Sequence, residues 1–342
     1  MPKKQNALVC VTGASGYIGS HIVRELLERG YRVRATVRDI SDEGKVGHLR
    51  NLVPDATDRL SLHRADLMVR GDFDRVIDGC DYVCHAASSV MLQAKDPQRQ
   101  IIDISLEGTK NVFASIAKAK SVKRVVHTSS IAAITNHARR PNHLYTEADW
   151  ASDLTIKNSP YGLSKVLAER EAWAAERDGQ FSLVTINPVF VLGPIYSRVH
   201  ARSSPSMIRD FLRRKMPGAP RLRMSMVDVR DVAAAHVNAL ENADASGRYI
   251  LYNEGRWMKE VASLIKKRFP QYKVRARQLP DLFLYAGSLF DKRLSFSFLR
   301  SSLGRVSRID GSKVSRELGI RYRPVEESIV DTCQSMIDLK LV

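Results

Sequence analysis

The stretch with the most chemical content is Ser159-Pro160-Tyr161-Gly162-Leu163-Ser164-Lys165. A Tyr followed four residues later by a Lys, at the start of a helical pattern, places both side chains on one helical face. A free phenol titrates near about 10, too high for easy proton exchange at neutral pH. A neighbouring ammonium favours the phenolate and lowers that value, so the pair has the makings of a general acid/base. Many helix surfaces carry this spacing without chemistry, so its meaning depends on what lies around it. Two other segments matter. Arg124-Val125-Val126-His127-Thr128-Ser129-Ser130 reads as a strand ending in three hydroxyls, and the carboxyl ends of parallel strands are where α/β proteins bind ligands. A hydroxyl there, such as that of Ser130, can orient a carbonyl and share a proton in flight. Near the N-terminus, Thr12-Gly13-Ala14-Ser15-Gly16-Tyr17-Ile18-Gly19 links the apolar run Leu8–Val11 to a helical pattern with Ile22, Val23, Leu26 and Leu27. Strand, glycine-rich turn and helix make a pyrophosphate cradle: glycines allow close backbone approach, and the helix N-terminus meets the charge. The spacing is Gly-x-x-Gly-x-x-Gly.

These groups need a scaffold to bring them together. Further strands are expected at Tyr31–Val37, Leu60–Leu67, Asp81–Ala87 and Ser182–Pro188, with helices over 98–119 and from Tyr161 onward. Strands alternating with helices to about residue 190 specify an α/β fold, a Rossmann-type doubly wound parallel sheet. Residues 1–190 are assigned to the dinucleotide-binding domain, with 226–253 returning to it. Residues 191–225 and 254–342 are assigned to a smaller C-terminal substrate lobe. Within the second part, helices are expected near 230–242, 257–269 and 312–319 and a strand at 248–253. Ser203–Ser206 reads as a loop, and the apolar run Leu279–Leu289 as core or lid.

On this scaffold the second strand ends in Arg38-Asp39, near the adenosine ribose. A guanidinium there matches a 2′-phosphate, and Lys45 adds charge, which favours NADP(H). If Asp39 faces the ribose instead, the preference weakens. Asp66, at the end of the third strand, reads either as an acceptor for an adenine amino group or as an ordinary turn aspartate, and Leu67 follows it. Ala86 and Ala87 allow close approach to a flat cofactor, and Thr128 and Ser129 precede Ser130 on its strand. Pro188, which cannot donate to a ladder, fits a strand end beside the nicotinamide, and Val191 lies just after it. Asn111, on the helix over 98–119, reads either as a buried polar link or as a solvated side chain.

Composition excludes several classes. The 342 residues have mixed charge, no repeat and no apolar run near the roughly 20 residues that span a bilayer. Cys10, Cys80, Cys84 and Cys333 are scattered, without metal-ligand spacing, so reduced thiols, no structural metal and a cytoplasmic protein are expected. The net charge is +17, of which residues 195–342 carry +13. No zinc-finger or RNA-binding motif accompanies it, so nucleic acid is not an expected partner. A basic surface, or steering of an anionic small molecule, accounts for it. Monomer and homodimer both remain open.

The ordered set Val11–Ser20, Arg34–Asp39, Ala65–Leu67, Val126–Ser130, Tyr161–Lys165 and Val227–Val232 resembles the extended short-chain dehydrogenase/reductases. The greatest similarity is to the dihydroflavonol reductase-like group, which includes cinnamoyl-CoA reductases and microbial aldehyde and ketone reductases. The resemblance implies an NADPH-dependent carbonyl reductase. Tyr161 would be its acid/base, Lys165 would lower the tyrosine pKa and hold the nicotinamide ribose, and Ser130 would orient the carbonyl. Thr12, Gly13, Ser15, Gly16, Tyr17, Ile18 and Gly19 would surround the pyrophosphate, Arg38 and Lys45 the 2′-phosphate, and Asp66 and Leu67 the adenine. Asn111 matches loosely a polar helix residue that supports a proton relay. Plant dihydroflavonol reductases carry Asn where this chain has Thr135, which argues against a strict dihydroflavonol substrate. Sugar epimerases favour Thr where it has Ala133, and an acidic residue where it has Arg38. The competing readings are a sugar epimerase or steroid-type dehydrogenase, and a non-catalytic NADP(H)-binding regulator.

Overall fold

The structure is a computed structural model describing residues 7–88, 94–136, 142–177, 179–288 and 296–342. Seven strands form one sheet: β1 (Leu8–Thr12), β2 (Arg32–Val37), β3 (Leu60–Arg64), β4 (Tyr82–His85), β5 (Arg124–Thr128), β6 (Ser182–Pro188) and, after an excursion, β9 (Gly247–Leu251). The excursion contains β7 (Phe190–Leu192) and β8 (Arg223–Asp228), and β10 (Glu254–Trp257) follows β9. The main sheet has the order β9-β6-β5-β4-β1-β2-β3, and every pairing in it is parallel. Parallel strands covered on both faces read as continuous apolar runs, and β1 and β5 are buried nearly throughout.

The helices of eight residues or more are α1 (Tyr17–Glu28), α2 (Glu43–Arg50), α3 (Ile104–Ala119), α4 (Pro160–Glu176), α5 (Val229–Glu241), α6 (Met258–Arg268) and α7 (Val325–Asp338). On one face of the sheet α1 packs against α5; on the other α3 packs against α4. Two apolar clusters result. Val9, Val11, Ile22, Leu26 and Val232 belong to one, and Cys10, Val83, Val125, Phe113 and Ile116 to the other. Successive β-strand residues point to opposite faces, which explains why Cys10 and Val11 part company. Strand order reverses between β1 and β4, and the crevice at their carboxyl ends is the switch point where α/β folds bind ligands.

The main sheet and most helices follow the sequence pattern closely. The helix over 98–119 begins as a wide π turn, Gln98–Asp103. Three elements depart from expectation. Ser206, read as loop, starts a short helix to Leu212; β8 is a strand of a three-stranded sheet, β10-β8-β7; and α7 is a long helix. Ser328 and Thr332 interrupt the apolar stripe of α7. They are buried all the same, because Ser328 Oγ donates to Asp228 Oδ2 (2.7 Å) and Thr332 Oγ1 to the Gly193 carbonyl (2.9 Å). In the run Leu279–Leu289, Leu284 is buried while Leu282 and Phe283 are exposed; Leu289 lies outside the described residues.

His21, His85, His127, His200 and His236 are buried. Burial pushes His21, His127 and His200 down from 6.5 to about 3 and His236 to about 4, and holds His85 well below its usual value. The unfolded chain therefore binds more protons than the folded one below about pH 6.5. Stability is complete above that pH and declines below it, by about 1.4 kcal/mol per unit for each such histidine. A typical fold holds only about 5–15 kcal/mol in reserve. Urea melts should accordingly show a midpoint that drops steeply between pH 7 and pH 5; a flat midpoint would contradict the neutral buried histidines.

Candidate active site

The glycine turn lies at the switch point. Gly13 has a left-handed backbone (φ +67°), and a Cβ there would fall 2.7 Å from the Ala87 Cα; one on Gly19 would fall 2.2 Å from the Gly13 carbonyl oxygen. Only glycine permits this approach of the turn to β4 and of α1 to the turn. Ala87 N–H donates to Thr12 Oγ1 (3.2 Å), which also meets His85 Nδ1 (2.7 Å), so β1 and β4 are tied where they diverge. Gly16 caps α1 with extended backbone. The first N–H groups of α1, at Tyr17 and Ile18, have no intrahelical acceptor. The Tyr17 side chain points elsewhere: it is buried, and its hydroxyl donates to the Gly193 carbonyl (2.9 Å). His200 Nε2 donates to the Ser15 carbonyl (3.1 Å), so Ser15 is held from the C-terminal half of the chain. The cradle fits a pyrophosphate through backbone groups.

At the end of β2, Asp39 Oδ1 accepts from Ser41 N–H (2.9 Å) and Ser41 Oγ (2.6 Å), and these bonds hold its carboxyl below the usual value. Lys45 pairs with Asp42. Arg38 is exposed and has no ion pair or hydrogen bond among the described residues. Asp39 is thus engaged by the Ser41 turn through Oδ1, while the Arg38 guanidinium is uncommitted among the described residues. Asp66 Oδ1 accepts from Met68 N–H (2.9 Å), closing a turn at the end of β3. Asn111 is half-buried, and its amide donates to the Leu67 carbonyl (2.8 Å). It thus ties α3 to the segment that follows β3.

Tyr161 is the second residue of α4, after Pro160, which is suited to a helix start because its missing N–H has no partner there in any case. Ser130 is buried and caps a short 3-10 turn, accepting from Ala132 N–H (3.2 Å). Burial raises the Tyr161 phenol above its usual value, and a hydrogen bond with Ser130 lowers it in part. Lys165 Nζ lies 5.8 Å from the Tyr161 ring centroid and donates to Ser88 Oγ (3.0 Å). Burial lowers Lys165 from 10.5 to about 8, opposed by Glu169. Burial is the larger influence on Tyr161, and Lys165 is not among the groups that act on it. Thr128 Oγ1 bonds His236 Nε2 (2.8 Å), and Ser129 Oγ donates to Glu169 Oε2 (2.5 Å), so these two hydroxyls are committed to the interior. Pro188 and Val191 are buried, with the Val191 carbonyl taken by Ser204 Oγ (2.7 Å).

Sequence reasoning passed over Glu169. It is fully buried, one turn beyond Lys165. Arg248 Nε (2.6 Å) and Thr185 Oγ1 (3.1 Å) donate to its Oε1, and Ser129 Oγ and Asn187 Nδ2 (2.9 Å) to its Oε2. Asn187 Nδ2 also donates to the Ser130 carbonyl (3.2 Å). The only available signal was a Glu four residues past a Lys that is itself four past a Tyr.

Such a cradle at the switch point of a doubly wound sheet defines a Rossmann-type dinucleotide-binding protein. The chain belongs to the NAD dependent epimerase/dehydratase family, whose sequence model matches residues 9–255, and with it to the extended short-chain dehydrogenase/reductases. It is 38% identical to cinnamoyl-CoA reductase CAD2 of Medicago truncatula, over 97% of this chain and 96% of that protein. It is 36% identical to a dihydroflavonol 4-reductase of Gerbera hybrida, over 87% of this chain and 84% of that one. Among solved structures it is similar to Gre2 of Candida albicans in complex with NADPH, with 31% identity, TM-score 0.79, and coverage of 97% and 99% of the two chains.

A charge-assisted contact of the Arg38 kind contributes about 1.5–3 kcal/mol. Arg38→Ala should raise the KM for NADPH by roughly tenfold to a hundredfold while leaving that for NADH nearly unchanged. Equal effects on both cofactors would remove Arg38 from the 2′-phosphate site.

Proposed function

We propose that the protein is an NADPH-dependent reductase of an aldehyde or ketone, in which Tyr161 protonates the carbonyl oxygen. The observation that carries this reading is the placement of Ser130, Tyr161 and Lys165, with the Lys165 ammonium 5.8 Å from the Tyr161 ring centroid and Ser130 among the groups that act on the phenol. The named reductases among its relatives, and Gre2 with NADPH, support the same class and cofactor. NADPH, when bound, supplies the hydride to the carbonyl carbon. Ser130 and Tyr161 hold the carbonyl oxygen, Tyr161 delivers its proton as negative charge develops there, and Lys165 supports the phenolate left behind. A phenol kept protonated by burial is in the right state to begin a reduction. The excess positive charge of the C-terminal portion favours an anionic substrate, such as a carboxylate or an acyl-CoA thioester.

NADPH oxidation followed at 340 nm across aldehydes, ketones, dihydroflavonols and acyl-CoA esters tests the class. One NADPH consumed per product marks a reductase, whereas an epimerase consumes none. Tyr161→Phe should lower kcat by about 10²–10⁴-fold with NADPH affinity retained; wild-type turnover in that variant would dismiss the mechanism. Reduction should also decline as pH rises through about 8, where Lys165 loses its proton.

A further inference from the structure

The Glu169 carboxylate lies at the base of the proposed site, with no access to water. Removing an ion from water costs several kcal/mol unless its lone pairs are filled. Here five side chains fill them: Ser129, Trp173, Thr185, Asn187 and Arg248. They come from the end of β5, from α4 itself, from β6 and from β9. Arg248 is in turn held by the Glu147 and Asp149 carbonyls and lies over the Trp150 ring (4.0 Å). This is more apparatus than helix packing requires, since the same face could be closed with apolar side chains at little or no loss of stability.

Two of its connections lead to the reacting groups. Asn187 Nδ2 bridges the Glu169 carboxylate and the Ser130 carbonyl, which fixes the backbone that carries the Ser130 hydroxyl. Lys165 is one helical turn from Glu169 on α4. The groups that face Lys165 are Tyr161 and Glu169 on α4, Ser88 after β4, His85 on β4 and His127 on β5. Both histidines are held neutral. Glu169 is thus the one anion among these groups, with Arg248 behind it on β9.

We propose that Glu169 is a positioning residue for the reduction, its Arg248-anchored carboxylate holding Ser130 in register with Tyr161 through Asn187 and standing as counter-charge one helical turn from Lys165. The inference rests on the reductase reading above. Burial alone drives Lys165 toward the neutral amine, and the Glu169 charge opposes this. An enzyme without that charge would lose its lysine cation at lower pH.

The test compares pH profiles of kcat for wild type, Glu169→Gln and Glu169→Asp, each purified as the full chain. Glu169→Gln should move the alkaline limb to lower pH, cutting kcat roughly tenfold at pH 8 and less than about threefold at pH 6, with little change in the KM for NADPH. Glu169→Asp, which keeps the charge, should restore most of the wild-type limb. A profile for Glu169→Gln that is parallel to wild type at every pH, or an Asp variant displaced as far as Gln, overturns the proposal and leaves Glu169 a structural residue. Should Glu169→Gln fail to fold because Arg248 is left unpaired, the double variant Glu169→Gln/Arg248→Met removes both charges and reads the same limb. The Lys165 titration, followed by NMR of 13C-labelled lysine and assigned with Lys165→Arg, needs no turnover. It separates failure of this proposal from failure of the reductase reading.

Discussion

An ionised carboxylate sealed from water is tolerable only when donors saturate it, and Glu169 imposes that condition on the centre of this molecule. Its partners are spread over residues 129 to 248. The end of β5, the middle of β6, the start of β9 and helix α4 must therefore all be in place before the charge is satisfied. Leaving Arg248 out strands a buried ion, a loss of about 3–5 kcal/mol. The requirement couples the last strand of the sheet to the helix that carries Tyr161 and Lys165.

The other end of the site is governed by contact distance. Gly13 and Gly19 let the first turn approach β4 and let α1 begin directly over the turn. Thr12 Oγ1, bonded to His85 and Ala87, prevents the two strand ends from parting further. The C-terminal portion closes on this region: Tyr17 and Thr332 meet at Gly193, and His200 reaches the Ser15 carbonyl. The cofactor cradle is consequently shared between the beginning of the chain and its final helix. A disturbance of α7 would be felt at the pyrophosphate turn.

The central sheet was legible because its signals are local. A buried parallel strand reads as a short apolar, β-branched-rich stretch, and β1, β5 and β6 each announce themselves within seven residues. α7 was less legible because Ser328 and Thr332 lie on its buried stripe and look like surface residues until their partners, Asp228 and Gly193, are known. The same holds for β8, whose pairing with β7 and β10 no local pattern specifies. No helix among the described residues is long and apolar enough to cross a membrane, in keeping with the short apolar runs of the sequence.

By itself the sequence determined the order strand, glycine turn, helix, and the placing of Tyr161 and Lys165 one turn apart on α4, because these depend on neighbours within a few residues. It also determined that the second strand would end in Arg38-Asp39. Only the tertiary structure showed that Asp39 accepts from the Ser41 turn while Arg38 is left uncommitted. It likewise assigned Asn111 to the Leu67 carbonyl and gave Tyr161 a raised pKa, because burial and long-range hydrogen bonds are properties of the packed chain. Glu169 and Arg248, 79 residues apart, become one unit only in the folded sheet. Their pairing is a matter of strand order, which no residue spacing records.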